Sequence, residues 1–84
     1  MDNKEPRFLN LSDKDFLKVV DLFLKGKAYI IEQDGNILFG ITDDKDKYIT
    51  PVVNDTFIIV TQSYSCNMVV LDNEVITMSI FRGE

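Results

Sequence analysis

Histidine is absent from all 84 residues, which removes the commonest neutral-pH general base and the commonest metal ligand. Cysteine occurs once, at Cys66, so no intramolecular disulfide can staple the fold, and a reducing compartment is expected. Without histidine the obvious activator of a Cys66 thiolate is missing, so catalytic use of that thiol is not expected. The glycines at 26, 35, 40 and 83 form no phosphate-cradling loop, and one cysteine cannot make a multi-cysteine metal site. No stretch approaches the ~18 apolar residues of a membrane-spanning helix. The opening MDNKEPRF carries charge where a signal peptide needs an apolar run. Together these absences predict a soluble, cytoplasmic, non-enzymatic protein without a cofactor or metal.

Basic residues are in the minority, nine against 14 acidic ones, for a formal charge of −5. Phosphate backbones and anionic lipid surfaces call for basic patches, so neither nucleic acid nor membrane is an expected direct partner. Lys14, Lys18 and Lys25 do share a helix face, but Asp21 interrupts them. Apolar residues make up 45% of the chain, enough for a core. The length fits one small domain, residues 1–84, that buries only ~60–65% of its extended surface on folding.

The clearest element is LSDKDFLKVVDLFLKG, Leu11 to Gly26. Ser12 is an N-cap with Asp15 three residues on, Leu11 and Phe16 can staple the entry, and Gly26 can close the helix in a left-handed conformation. Helical spacing gathers Phe16, Leu17, Val19, Val20, Phe23 and Leu24 on one stripe and leaves Leu22 on its flank. Residues 1–10 read as a loose tail whose end tucks Leu9 or Leu11 under the helix.

After Gly26 the period becomes strand-like. Asp34-Gly35 lies between two apolar runs, the strongest short hairpin signal, and predicts Ile31 opposite Leu38, Ile30 opposite Phe39 and Tyr29 opposite Gly40. YITPVV, Asn54-Asp55 and TFIIVTQ read as a second hairpin, with Pro51 marking an edge or bulge; NMVVL, Asp72-Asn73 and EVITMSIF read as a third. Joined into one sheet, these strands predict a core face of Ile30, Phe39, Ile41, Ile49, Ile58, Val60, Val69, Ile76 and Met78. Ile31, Leu38, Phe57, Ile59, Val70, Val75 and Phe81 fall on the opposite face.

A helix about 10 Å wide cannot cover both faces of six strands spanning roughly 24 Å. The expected fold is therefore α+β: one N-terminal helix on an antiparallel sheet of five or six short strands, a hairpin meander, either curled into a half-barrel or leaving its second face for a partner. The candidate interface is Phe57, Ile59 and Val70 with the loop aromatics Tyr48 and Tyr64, rimmed by Asp43, Asp44 and Asp46. Glu32, Asp34 and Asn36 alternate like calcium-loop ligands, but Gly35 is misplaced for one and turn chemistry accounts for the group.

The ending Ile80-Phe81-Arg82-Gly83 resembles the apolar-Arg-Gly close of the second motif in Sm-like RNA-binding proteins, which also begin with a helix; no function is carried over from those four residues. The functional expectation is a small protein that binds another protein, a second copy of itself included. By analogy with small acidic proteins it would act as an inhibitor or accessory factor in a bacterial or phage system. The alternative is a small-ligand binder with its site in the curled sheet or between protomers.

Overall fold

In the computed structural model, which describes residues 5–43 and 51–83, α1 spans Asp13–Leu24. Its start is set by Ser12, whose hydroxyl accepts from the Asp15 amide at 3.1 Å. Its end is a Schellman closure: Gly26 takes φ +72°, its amide donates to the Phe23 carbonyl at 2.9 Å, and the Lys27 amide donates to Leu22 at 3.0 Å. The buried stripe is narrower than the spacing alone predicts. Phe16 and Val19 are buried and Val20, Leu22 and Phe23 pack partly against the core, whereas Leu17 and Leu24 are 52% and 76% exposed.

Six strands follow the order β1-β4-β5-β6-β2-β3 in one sheet, mostly antiparallel and curled into a half-barrel around α1. They are β1 (Arg7–Asn10), β2 (Ala28–Gln33), β3 (Asn36–Ile41), β4 (Asp55–Val60), β5 (Tyr64–Leu71) and β6 (Glu74–Arg82). The β2–β3 register is the expected one at every position named above. Asp34 and Gly35 supply its turn with φ 52° and 81°, and Asp72 and Asn73 supply the β5–β6 turn with φ 52° and 68°. Tyr29 lies so close across Gly40 that a Cβ there would meet the ring at 2.6 Å, which is why this strand position is glycine.

The curl is visible in one side chain. β1 and β2 are four places apart in the sheet, about 19 Å if it were flat. Yet Arg7 Nη1 on β1 donates to Glu32 Oε1 on β2 at 2.9 Å and to Asp55 Oδ2 on β4 at 3.3 Å, with its guanidinium carbon 5.4 Å from the Phe57 ring centroid. The concave side is filled by Phe16 from the helix and by Ile30, Phe57, Ile59, Met68 and Val70 from the sheet.

Three expectations are corrected. The end of the supposed tail, Arg7–Asn10, is a strand that pairs in parallel with β4, while Leu9 and Leu11 do pack against the core. The second hairpin does not form around Asn54-Asp55: Asp55 opens β4, Pro51–Asn54 carry no strand, and Tyr48 to Thr50 lie outside the described residues. Pro51 to Asn54 is tied down by side-chain hydrogen bonds instead, with Asn73 Oδ1 accepting from the Val53 amide at 3.3 Å and Asn54 Oδ1 from the Asp72 amide at 2.7 Å.

Thirdly, the faces of β4 and β5 are reversed. Phe57, Ile59 and Val70 are 0% exposed and Val75 is buried, whereas Val60 and Ile76 are exposed and Ile58 and Val69 only half-buried. A slip of one residue moves a whole strand's side chains to the other face. Ser65 and Asn67 alternate with Cys66 and Met68, and those two buried residues pair with Ile59 and Phe57, so β5 decides the face for β4. A register shift at Val69/Val70 then breaks strict alternation in β6, leaving Met78 on the core side with Val75.

Two substitutions test these joints. Asn73→Gly keeps the positive φ and deletes the side-chain bonds to Val53, Ile30 and Pro51. It should lower unfolding free energy by about 1–3 kcal/mol in urea titration. Gly40→Ala should cost about 1–3 kcal/mol by forcing the Tyr29 ring aside. In a Tyr29→Val background the same change should cost measurably less.

Candidate interaction surface

The sequence-derived interface residues do not come together on the surface. Phe57, Ile59 and Val70 form the centre of the core and are withdrawn as contact residues. Tyr64 is half-buried, its ring centroid 5.6 Å from that of Phe16, so it anchors the helix to the sheet. Asp43 is exposed and accepts from Lys27 Nζ at 2.9 Å. Tyr48, Asp44 and Asp46 lie outside the described residues. Cys66 is fully buried, and desolvation pushes its thiol pKa up, away from the thiolate a nucleophile needs. Glu32 from the alternating acidic group is engaged by Arg7.

A different surface lies where α1 passes β3. A groove of about 580 Å³ runs between Leu17, Lys18 and Leu22 on the helix and Phe39, Gly40 and Ile41 on the strand. It continues into a smaller hollow of about 310 Å³ bounded by Leu11, Val19 and Ile37, with Lys18, Leu22 and Phe39 lining both. Its walls are apolar. Its rim is of mixed sign, with Lys14, Lys18, Asp15 and Asp21 all contributed by the helix.

The strand wall of this groove is a sheet edge. β3 ends the strand order, and the Thr42 amide donates to the Lys27 carbonyl at 2.7 Å, which fixes the alternation of the β2–β3 ladder. Gly40 and Leu38 then bond inward to β2, and Ile37, Phe39 and Ile41 turn their amides and carbonyls outward. Their side chains are the ones that face α1, so one strand offers both open hydrogen-bonding groups and apolar contact along the same line. Among the described residues no strand pairs with that edge.

The opposite edge differs. β1 is four residues long, follows Pro6 and carries Arg7, whereas β3, NILFGI, has no charge and no proline. Short length, charge and proline are the usual devices that stop an edge from recruiting another strand. The sequence reading missed this surface, although the uncharged run Asn36–Ile41 beside an amphipathic helix was its visible signal.

The helix is held at a fixed angle to the groove by its first turn. Asp13 accepts from the Ser63 amide at 3.1 Å and from Ser63 Oγ at 2.7 Å, joining α1 to the β4–β5 loop. Among the described residues no group of three or more acidic or cysteine side chains is arranged to hold a metal ion, and no helix is long and apolar enough to cross a membrane. Comparisons with protein-family models, with curated proteins and with solved structures found no match to this chain.

Hydrogen bonds from Thr61 and Ser63 hold the Asp13 carboxyl below its ordinary pKa. A lowered folded-state pKa gives stability that is complete above the unfolded value and is lost as pH falls through the folded one. Wild-type protein should therefore lose stability more steeply than Asp13→Asn on acidification below about pH 4, as read from urea midpoints.

Proposed function

We propose that the chain is a non-enzymatic protein-interaction module that receives an extended segment of a polypeptide along β3, beside α1. The observation that carries this reading is the coincidence of the outward backbone groups of Ile37, Phe39 and Ile41 with an apolar groove against Leu17 and Leu22. Strand addition to an exposed edge uses main-chain bonds for affinity and alternate side-chain pockets for selectivity. The lack of histidine and the burial of Cys66 support a binding rather than a catalytic role. An acidic inhibitor or accessory factor is the kind of molecule such a module would make, since a charge of −5 disfavours phosphate backbones and favours basic protein targets. A small apolar ligand is the second reading, because a groove of about 580 Å³ falls within the range of ligand sites.

A capped Thr-Val-Thr-Val-Thr peptide separates the two. On titration it should shift the amide resonances of Ile37, Phe39 and Ile41, and a version N-methylated on its pairing face should bind at least about tenfold more weakly. Shifts confined to β4–β6, or equal binding of the N-methylated peptide, would count against strand addition.

A further inference from the structure

We infer that the segment received beside β3 carries an acidic side chain opposite Ile41 and an apolar one opposite Phe39. This rests on the proposal that the edge accepts a strand, and names the chemistry of that strand. In a paired strand the residues opposite Ile37, Phe39 and Ile41 share their face, so their side chains turn toward α1. Each meets a different part of the groove. Opposite Phe39 lies the junction of its two parts, where Leu22 and Phe39 line both and supply an apolar seat. At the Ile41 end the helix contributes Lys14, Leu17 and Asp21; at the Ile37 end it contributes Leu11, Asp15 and Val19, with Lys18 common to both.

The mixed rim thus sorts by charge along the strand. Asp21 is engaged by Lys25 Nζ at 2.9 Å, so toward Ile41 three lysines, Lys14, Lys18 and Lys25, stand against one aspartate. Lys14 and Lys18 form no ion pair among the described residues. The helix alone gains nothing from them there. Lys14 lies in its first turn, where the dipole disfavours a cation, and Lys18 follows four residues on, where like charges repel. A carboxylate held between them relieves both effects, with the half-exposed Leu17 beside it for the apolar stem of a glutamate. Toward Ile37 the same carboxylate would face Asp15, so the acidic position belongs to one end. The −5 of the whole chain acts through solvent and is screened beyond about 8 Å at physiological salt, whereas the groove lysines act at contact.

The test titrates the full chain with capped Glu-Thr-Val-Thr-Val and Val-Thr-Val-Thr-Glu, and with Gln and Lys versions of each, reading affinity from the amide shifts of Ile37, Phe39 and Ile41. At least one Glu peptide should bind about three- to tenfold more tightly than its Gln version, and more tightly still than its Lys version. That order is opposite to the one a charge of −5 imposes. The advantage should shrink in about 0.5 M salt. Lys14→Gln with Lys18→Gln should abolish it. Thr77→Glu with Ser79→Glu, which lowers the net charge equally on the outer sheet face, should leave it in place. All four positions are exposed, and thermal unfolding establishes that each variant is folded. Equal binding of the Glu and Gln peptides, a preference for Lys, or a Glu preference that survives loss of both lysines overturns the inference and leaves strand addition standing. Failure of every peptide to shift those three amides overturns both.

Discussion

Between β6 and β2 the ladder is one residue pair wide, Tyr29 opposite Glu74, and Asn73 supplies the bonds that a longer ladder would have made. The Ile30 amide donates to the Asn73 carbonyl at 2.7 Å, Asn73 Nδ2 donates back to the Ile30 carbonyl at 2.9 Å, and the Asn73 amide donates to Val53 at 3.0 Å. A seam this narrow lets the two halves of the sheet turn sharply without forfeiting buried backbone bonds. The curl that results brings β1 back toward β2 and allows Arg7 to close the mouth over Phe57. It also explains how 12 helical residues suffice: α1 has one concave face to fill, with Phe16 and Val19 reaching into it.

The parts of this architecture that were legible in the sequence are those set by local chemistry. Ser12 and Gly26 bound the helix to within a residue or two, and Asp34-Gly35 fixes the β2–β3 register because a two-residue turn leaves no freedom to slip. The illegible parts depend on partners distant in the chain. β1 is four residues with one alternation, and only its parallel pairing with β4, about fifty residues on, makes it a strand. In TFIIV both faces are apolar, so β4 carries no pattern of its own; its orientation follows from Ser65 and Asn67 on β5. Asn54-Asp55 looks like a turn because Asn and Asp suit one, but Asn54 caps the Asp72 amide and Asp55 contributes to the Arg7 cluster.

The candidate site was less legible than the fold for a related reason. Setting the hairpins one residue out of phase puts Phe57, Ile59 and Val70 on a surplus face, whereas the observed alternation of β4 and β5 turns those residues into the concave interior. Besides Phe8, Val60, Ile76, Ile80 and Phe81 on the other strands, apolar surface left over after curling sits on the helix flank at Leu17 and along β3 at Leu38 and Ile41. Neither position can be recognised from its own segment. β3 is an edge only because β6 joins β2 on its far side, and that pairing depends on the Asn73 seam.

The two sheet edges are therefore linked by one geometry. Arg7 closes the curl by bonding to Glu32 and Asp55, and the same residue places a positive charge on β1, which is short and preceded by Pro6. The device that shapes the concave core also guards one edge from other strands. β3 receives no such guard at Ile37 and Phe39, whose side chains pack against the core. A charge at either would be desolvated against α1, and one at Gly40 would collide with Tyr29. The packing that holds the helix in the half-barrel thus keeps charge off Ile37, Phe39 and Gly40, while Asn36, Leu38 and Ile41 stay exposed. That constraint is the physical ground on which we propose the α1–β3 margin as an interaction surface.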